Sequence, residues 1–188
     1  MTNQVFDKKK APLIDTKVIP HSIEAEQSVL GGLMIDNAAW DKVADRLTEE
    51  DFYKHNHKLI YRVMVGLAAA SQPFDVLTVS EGLKEHKLLQ DAGGELYLFE
   101  LAKNTPSAAN IVAYGDIVRR QSVLRQLIST ANNIAETAFN PDGRDVTDLL
   151  DIAERDIFRI AEQGQRGSGP VDIKEYIAMA SERIDMLY

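Results

Sequence analysis

Residues 108–139 read AANIVAYGDIVRRQSVLRQLISTANNIAETAF, a run without proline in which only Gly115 interrupts the good helix formers. At 100° per residue its apolar side chains fall on one arc of about 120°, which is wider than a two-stranded seam requires. The apolar positions are Ile117, Leu124, Leu127, Ile128, Ala131, Ile134, Ala135 and Ala138. The pattern predicts one long amphipathic helix with more apolar surface than a single core covers.

A second helix is predicted directly after this one. The sequence NPDG at 140–143 is typical of a tight turn, and apolar residues then recur at helical spacing from Val146 to Ala161. Two long helices joined by a short turn predict an antiparallel helical hairpin over residues 107–164. We expect the hairpin to form a subunit interface. The candidate interface residues are Ile117, Leu124, Leu127, Ile128, Ile134, Phe139, Leu149 and Ile157.

The half of the chain before the hairpin contains only short helical patterns. Residues 20–106 are broken near Asp36, Pro73 and Gly93, and no segment alternates convincingly as a β-strand would. The predicted fold class is therefore all-α. It comprises a globular bundle of short helices over 20–106, the hairpin, and a separate linker helix. Residues 1–19 show no sustained periodicity and are predicted to be a flexible N-terminal tail.

The C-terminal end has the composition of a linker followed by one more helix. The sequence GQRGSGP at 164–170 is typical of a flexible linker, assigned to 165–171, and residues 172–188 form the amphipathic linker helix. Its apolar residues make a narrow seam of two positions per heptad, which favours docking into one groove of a partner. The partner-docking residues are Ile173, Ile177, Ala180, Ile184 and Leu187.

Composition restricts the environment and the ligands. The net charge is −8, and residues 22–51 hold eight acidic residues against Lys42 and Arg46, so strong direct binding to nucleic acid is not expected. The segment is interpreted as a solvated acidic surface. Because the chain has no cysteine, disulfides and thiolate metal sites are excluded. No apolar run approaches a membrane span. We expect a cytoplasmic protein without membrane contact.

No catalytic motif is present. No Gly is followed directly by Lys, so no phosphate-binding loop of the Walker type exists, and we expect no ATP binding, no other cofactor and no metal. His55 and His57 point apart in a helix and could hardly share a metal ion there. One enzymatic alternative remains, a phosphotransfer domain with an exposed reactive His57 between Lys54 and Lys58. A different all-helical adaptor or loader protein is the other alternative.

Arg119, Arg120 and Arg125 form a small basic cluster on the long predicted helix. Clusters of this kind usually form a solvated helix face, and a contact with a partner or another subunit is the second interpretation.

Four ordered blocks resemble the DnaB family of bacterial replicative helicases. PHSIEAEQSVLGGL at 20–33 is similar to the opening signature of the family, and DFYKHNHKLIY at 51–61 resembles its second block. Gly93-Gly94 with Tyr97, Leu98 and Leu101 resembles the third. AYGDIVRRQ at 113–121, followed by LRQL at 124–127, resembles the start of the family's hairpin. The similarity covers about residues 20–188.

The resemblance implies a parent enzyme, a hexameric ATP-driven helicase whose motor domain, with its ATP and Mg²⁺ site, lies C-terminal to the region seen here. It implies that this chain is a non-catalytic N-terminal scaffold, which pairs with itself through the hairpin and docks a DnaG-type primase or a helicase loader. It further implies that the linker helix packs on the motor domain of a neighbouring subunit.

Overall fold

The computed structural model describes residues 18–164. Within that range the fold contains α-helices and two short 3₁₀ helices but no strand, and the prediction of an all-α fold is confirmed. The α-helices are α1 (Ile23–Ile35), α2 (His55–Ala69), α3 (Val76–Glu85), α4 (Gly94–Asn104), α5 (Ile111–Phe139) and α6 (Val146–Gly164). The predictions for the first 17 residues, for the linker and for the final helix lie outside the described residues.

Helix α1 lies at the centre of the globular bundle and packs against α5, α4 and α2. Val29, Leu30 and Leu33 are fully buried. A β-carbon added to Gly31 would lie 2.3 Å from the carbonyl oxygen of Leu101, so only glycine lets α1 approach α4 this closely. Gly31 is thus explained by close helix packing.

Aromatic side chains fill the core between α2 and the loops beside it. The ring of Tyr61 packs against Phe52 and Trp40, and Trp40 meets Phe74 edge-on at 5.5 Å between centroids. The buried Tyr61 hydroxyl donates to the carbonyl of Leu47. Burial, and secondarily the charge of Asp51, raises the pKa of Tyr61 well above its usual range, so the hydroxyl stays protonated as a donor.

Side-chain caps define the starts of α1 and α3. Ser22 accepts from the amide of Ala25 at the start of α1, and Asp75 accepts from the amide of Thr78 at the start of α3. After the break at Asp36, the chain forms a short 3₁₀ helix at Asn37–Lys42. There the Asn37 side chain bonds to both the amide and the carbonyl of Phe74, which ties this segment to the loop before α3.

Helix α5 runs antiparallel to α1 and extends beyond it. A β-carbon on Gly32 would lie 3.3 Å from Ile111 at the start of α5, whereas Arg125, fourteen residues further along, bonds to the carbonyl of Pro20, just before α1. The buried side chains of α5 lie between Ile111 and Ser122. The remainder of α5 packs against α6, which gives the predicted antiparallel hairpin.

Candidate interaction surface on the helical hairpin

The hairpin carries large apolar side chains on its solvent side. On α5, Leu124, Leu127 and Ile128 are each more than 40% exposed, and at the turn the exposure of Phe139 reaches 85%. Helix α6 adds four exposed apolar side chains, those of Val146, Leu150, Ile157 and Phe158. Among the described residues of α6, the buried apolar side chain is Ile160. A single chain therefore leaves much of this apolar surface in water, which is typical of an interaction surface.

The eight candidate interface residues fall into two groups. Leu124, Leu127, Ile128, Phe139 and Ile157 are exposed, as an interface in the free chain requires. Ile134, Leu149 and Ile117 are half-buried. Of these, Ile117 packs against the globular core, and Ile134 and Leu149 line the space between the two hairpin helices.

Three exposed apolar residues of α6 are absent from the eight candidates, and of these Phe158 alone was missed by the helical periodicity, which includes Val146 and Leu150. Phe158 lies one residue after Ile157 and outside the helical periodicity that selected the other positions. An aromatic residue on the polar side of an amphipathic helix is the signal that could have identified it.

The two hairpin helices do not close completely near the turn. A cavity of about 320 Å³ lies between them, lined mainly by apolar side chains, including Ile134, Val146 and Leu150. Apolar side chains from another molecule could enter this cavity, because its lining comes entirely from α5 and α6.

A separate cluster of buried polar side chains joins three helices of the bundle. The Glu26 carboxylate on α1 bonds to His57 Nδ1 on α2 at 2.6 Å, and His57 Nε2 lies 2.6 Å from the Tyr97 hydroxyl on α4. Glu26 also accepts from the backbone amides of Tyr53 and Lys54. An ionised carboxylate can only accept, so His57 Nδ1 donates to it, and in the neutral ring Nε2 accepts from Tyr97.

Two arginines extend this cluster onto α5. Arg119 donates to the buried carboxylate of Asp51. Arg125 donates to the carbonyls of Asp51 and Pro20. Its guanidinium carbon Cζ lies 5.7 Å from the centroid of the Tyr53 ring. Burial lowers the pKa of Arg125 from its usual value, with opposing contributions from nearby acidic groups. The cluster fixes the base of the hairpin on the bundle.

The structure corrects the sequence-based interpretation of several charged residues. His57 is fully buried with both ring nitrogens bonded, which contradicts the alternative of a phosphotransfer domain with an exposed, reactive His57. Arg119 is buried and Arg125 is half-buried, so of the basic cluster only Arg120 is exposed. In the acidic segment, Glu26 and Asp51 are each 1% exposed rather than solvated. Their hydrogen-bond partners are distant in sequence, so amino-acid composition could not identify them.

Residues 18–164 show no other chemical centre. No cluster of three or more potential ligands that could hold a metal ion occurs among them. None of the helices in the same range combines the length and the apolar composition needed to cross a membrane. An all-helical domain with a buried structural network and a large apolar hairpin surface belongs to the class of interaction modules.

The comparisons identify the family. Residues 18–120 match the model of the DnaB-like helicase N-terminal domain, so the chain belongs to that family. It is 43% identical over 182 residues to the replicative DNA helicase DnaB of Haemophilus influenzae. It is 37% identical over 176 residues to that of Geobacillus stearothermophilus. These alignments cover 96% and 94% of this chain but 38% of each relative, so the chain spans less than half of their length.

Solved structures agree with this assignment. The crystal structure of the N-terminal domain of DnaB helicase from Mycobacterium tuberculosis matches with a TM-score of 0.72 and 33% identity, over 74% of this chain and 98% of that one. A structure of a DnaB-like replicative helicase, described with its interactions with primase, matches with a TM-score of 0.66 and 25% identity, over 88% of this chain and 36% of that one. The predicted resemblance is confirmed, and the chain corresponds to the non-catalytic N-terminal domain of these helicases.

The buried cluster explains the four sequence blocks on which the resemblance rests. Glu26 lies in the first block, His57 in the second, Tyr97 in the third and Arg119 in the fourth. Hydrogen bonds link Glu26, His57 and Tyr97, and Arg119 bonds to Asp51 of the second block, so the four blocks form one structural unit that positions the hairpin.

Proposed function

We propose that this chain is the assembly and docking domain of a hexameric replicative helicase, and that it pairs with a second copy through the hairpin. The observation that carries the proposal is the row of exposed apolar residues on α5 and α6. Leu127, Ile128 and Ile157 are each between 43% and 51% exposed on α5 and α6, although these two helices pack against each other. A second copy of the same hairpin is the simplest complementary surface, since homodimers commonly use self-complementary interfaces.

The test is the effect of one buried charge on pairing. Leu127→Asp would place an unpaired carboxylate in the apolar interface, at a cost of several kcal/mol. Since each 1.4 kcal/mol is about tenfold in affinity, pairing should weaken by at least about 100-fold. Sedimentation equilibrium over low to high micromolar concentrations measures this change. Leu127 is preferable to Ile134, because a charge at Ile134 would also disturb the contact between α5 and α6 within one chain.

Leu96→Asp provides the matched control. Leu96 is 71% exposed in the first turn of α4 on the globular bundle, where an aspartate is well tolerated. This variant should pair like the wild type. Strictly monomeric wild-type protein at high micromolar concentration, or equal weakening in both variants, would contradict pairing through the hairpin.

The proposal includes docking of a DnaG-type primase or of a helicase loader. The similarity to a DnaB-like helicase described with its primase interactions supports the primase. For the loader the support is only the sequence resemblance. Repeating the sedimentation measurement with the C-terminal domain of a primase tests this step, and a complex heavier than the paired domain alone is the expected result.

The proposal assigns ATP, Mg²⁺ and DNA unwinding to the motor domain of the parent helicase and not to this chain. Supporting this division, the sequence offers no Walker-type phosphate loop. The linker helix with Ile173, Ile177, Ala180, Ile184 and Leu187 would then dock on the motor domain of a neighbouring subunit.

A further inference from the structure

The four residues before the N-cap of α1 contact both the hairpin and the loop before α2. The carbonyl of Pro20 accepts a hydrogen bond from Arg125 Nη1 on α5 at 3.0 Å. The ring of His21 stacks on that of Tyr53, with 4.5 Å between the centroids and 13° between the planes. We call residues 18–21 the strap. The strap therefore connects the start of α1 to α5 and to the loop that carries Tyr53.

Arg125 also bonds to a second segment of the bundle. Its Nη2 donates to the carbonyl of Asp51 at 2.6 Å, at the end of the 3₁₀ helix Glu49–Asp51. Its Cζ lies 5.7 Å from the centroid of the Tyr53 ring, the same ring on which His21 stacks. Because a guanidinium holds its donors in a rigid planar fork, the two bonds together fix the position of α5 relative to both segments.

Arg125 lies where α5 leaves the bundle. The buried side chains of α5 end at Ser122. Within residues 18–164, the side-chain hydrogen bonds of α5 beyond Arg125 remain within the helix and its C-cap. Helix α5 continues to Phe139, which at 1.5 Å per residue is about 21 Å beyond Arg125. The outer part of α5 is therefore a lever, and Arg125 is its last described polar attachment to the bundle.

A small change of angle at Arg125 would have a large effect at the end of this lever. A tilt of about 10° would move Phe139 by about 4 Å, because the displacement grows with the length of the helix. Apolar side chains are in contact only while their heavy atoms approach within about 4.5 Å. The direction of the hairpin therefore decides whether the apolar residues of two hairpins can meet.

We infer that the strap, held by Arg125 and Tyr53, fixes the direction of the hairpin relative to the bundle. Loss of the bond between Pro20 and Arg125, or of the stack between His21 and Tyr53, would leave residues 111–122 packed in the core but allow α5 to tilt beyond them. This direction is a property of a single chain. The consequence for pairing rests on the proposed function, because it requires the hairpin to be the surface that pairs.

The distance between two spin labels measures the direction of the hairpin, and the absence of cysteine makes labelling specific. Leu77→Cys places one label on α3 of the bundle, and Arg144→Cys places the other just after the turn of the hairpin. Both positions are exposed. The full chain carries Leu127→Asp as well, and sedimentation checks that it is monomeric at the concentration used. Double electron–electron resonance should give a narrow distance distribution for this parent chain.

Two variants of the parent chain remove the contacts of the strap one at a time. Arg125→Met removes both hydrogen bonds but keeps an unbranched side chain, and it should broaden the distribution at least about twofold. His21→Ala removes the ring stack at a position outside any helix, so it should broaden the distribution even if Arg125→Met fails to fold. Arg120→Met is the matched control, because it makes the same substitution at an exposed arginine of the same helix. Its distribution should equal that of the parent, and circular dichroism checks that each variant is folded.

Pairing is measured separately, in unlabelled chains that keep Leu127. There Arg125→Met should weaken pairing at least about tenfold in sedimentation equilibrium, and Arg120→Met should leave it unchanged. Distributions as narrow as the parent's in both Arg125→Met and His21→Ala, or equal broadening in Arg120→Met, would overturn the inference. Broadened distributions with unchanged pairing would retain the strap's effect on direction and refute its effect on pairing. A wild-type chain that never pairs would contradict the proposed function instead, and the distances alone would still decide whether the strap fixes the hairpin.

Discussion

The carboxylate of Glu26 accepts three hydrogen bonds in the interior, from the amides of Tyr53 and Lys54 and from the ring of His57. A buried charge is costly unless it is paired and fully hydrogen-bonded. Here the bonds come from α2 and the residues before it, and the ring continues the network to Tyr97 on α4. One residue therefore fixes the relative positions of three helices.

At the residue scale we expect Glu26→Ala to be strongly destabilising. It would leave three donors without their acceptor, and buried unsatisfied donors cost about 1–3 kcal/mol each, so a loss of about 3 kcal/mol in the free energy of unfolding is a conservative expectation. Urea unfolding at neutral pH measures it. Glu26→Gln, which keeps one acceptor oxygen for the backbone amides, should lose less.

Glu50→Gln is the control for this experiment. Glu50 is exposed and pairs with Lys58 at the surface, so its loss should change stability by no more than about 0.5 kcal/mol. If Glu26→Ala cost as little as this control, the buried network would not be what holds the bundle together.

The sequence could not show these individual roles. Glu26 and His57 are 31 residues apart, and Asp51 and Arg119 are separated by 68. Composition and spacing treat each charged residue as solvated unless a local partner is visible, whereas here the partners meet only after the helices have packed.

At the scale of single elements the sequence was far more informative, because helix limits depend on nearby residues. The break at Gly93, the turn at 140–143 and the capping aspartate of α3 all lie where local chemistry places them. The 3₁₀ helix at Asn37–Lys42 is the exception, since the bonds between Asn37 and Phe74 come from tertiary structure. The hairpin follows directly from two long periodic runs and a short turn.

The N-cap of α3 gives a prediction at the element scale. The hydrogen bond from the Thr78 amide lowers the pKa of Asp75 below its usual value of 3.8. A lowered pKa in the folded state means that the charge stabilises the fold above that usual value, and the contribution is lost as the pH falls through the folded pKa. Asp75→Asn keeps a capping side chain but removes the charge.

Wild-type protein should therefore be more stable than Asp75→Asn at pH 7, and the difference should shrink toward zero as the pH falls below 3.8. Asp75→Ala should cost about 1 kcal/mol at pH 7, because the helix loses its cap altogether. Urea unfolding at several pH values measures both effects. A wild-type advantage over Asp75→Asn that grows with acidity would show that the charge of Asp75 opposes folding.

At the scale of the whole molecule, the stabilising core and the proposed pairing surface lie in different parts of the domain. The buried cluster and the aromatic core lie in the bundle and at the base of α5, whereas α5 beyond Arg125 and α6 carry a row of exposed apolar side chains on the outer part of the hairpin. A hairpin anchored at one end can present its outer part to a second copy without disturbing the core. The sequence indicated this division through the excess width of the apolar arc on α5, but not which of its residues face the bundle, as Ile117 does.

The remaining prediction concerns the linker helix, whose residues lie outside the described range. Its seam of two apolar positions per heptad fits one groove, which the proposed function places on the motor domain of a neighbouring subunit. A helix this short is marginal in water without packing. In the isolated chain, amides of residues 173–187 should therefore exchange with solvent within seconds, and they should slow at least about tenfold when a motor domain is added. The matched variant Ile177→Asp should abolish the slowing and leave exchange in α1 unchanged. Strong protection of these amides in the monomeric chain would instead mean that the helix packs on its own domain, and docking to a neighbour would then require its release.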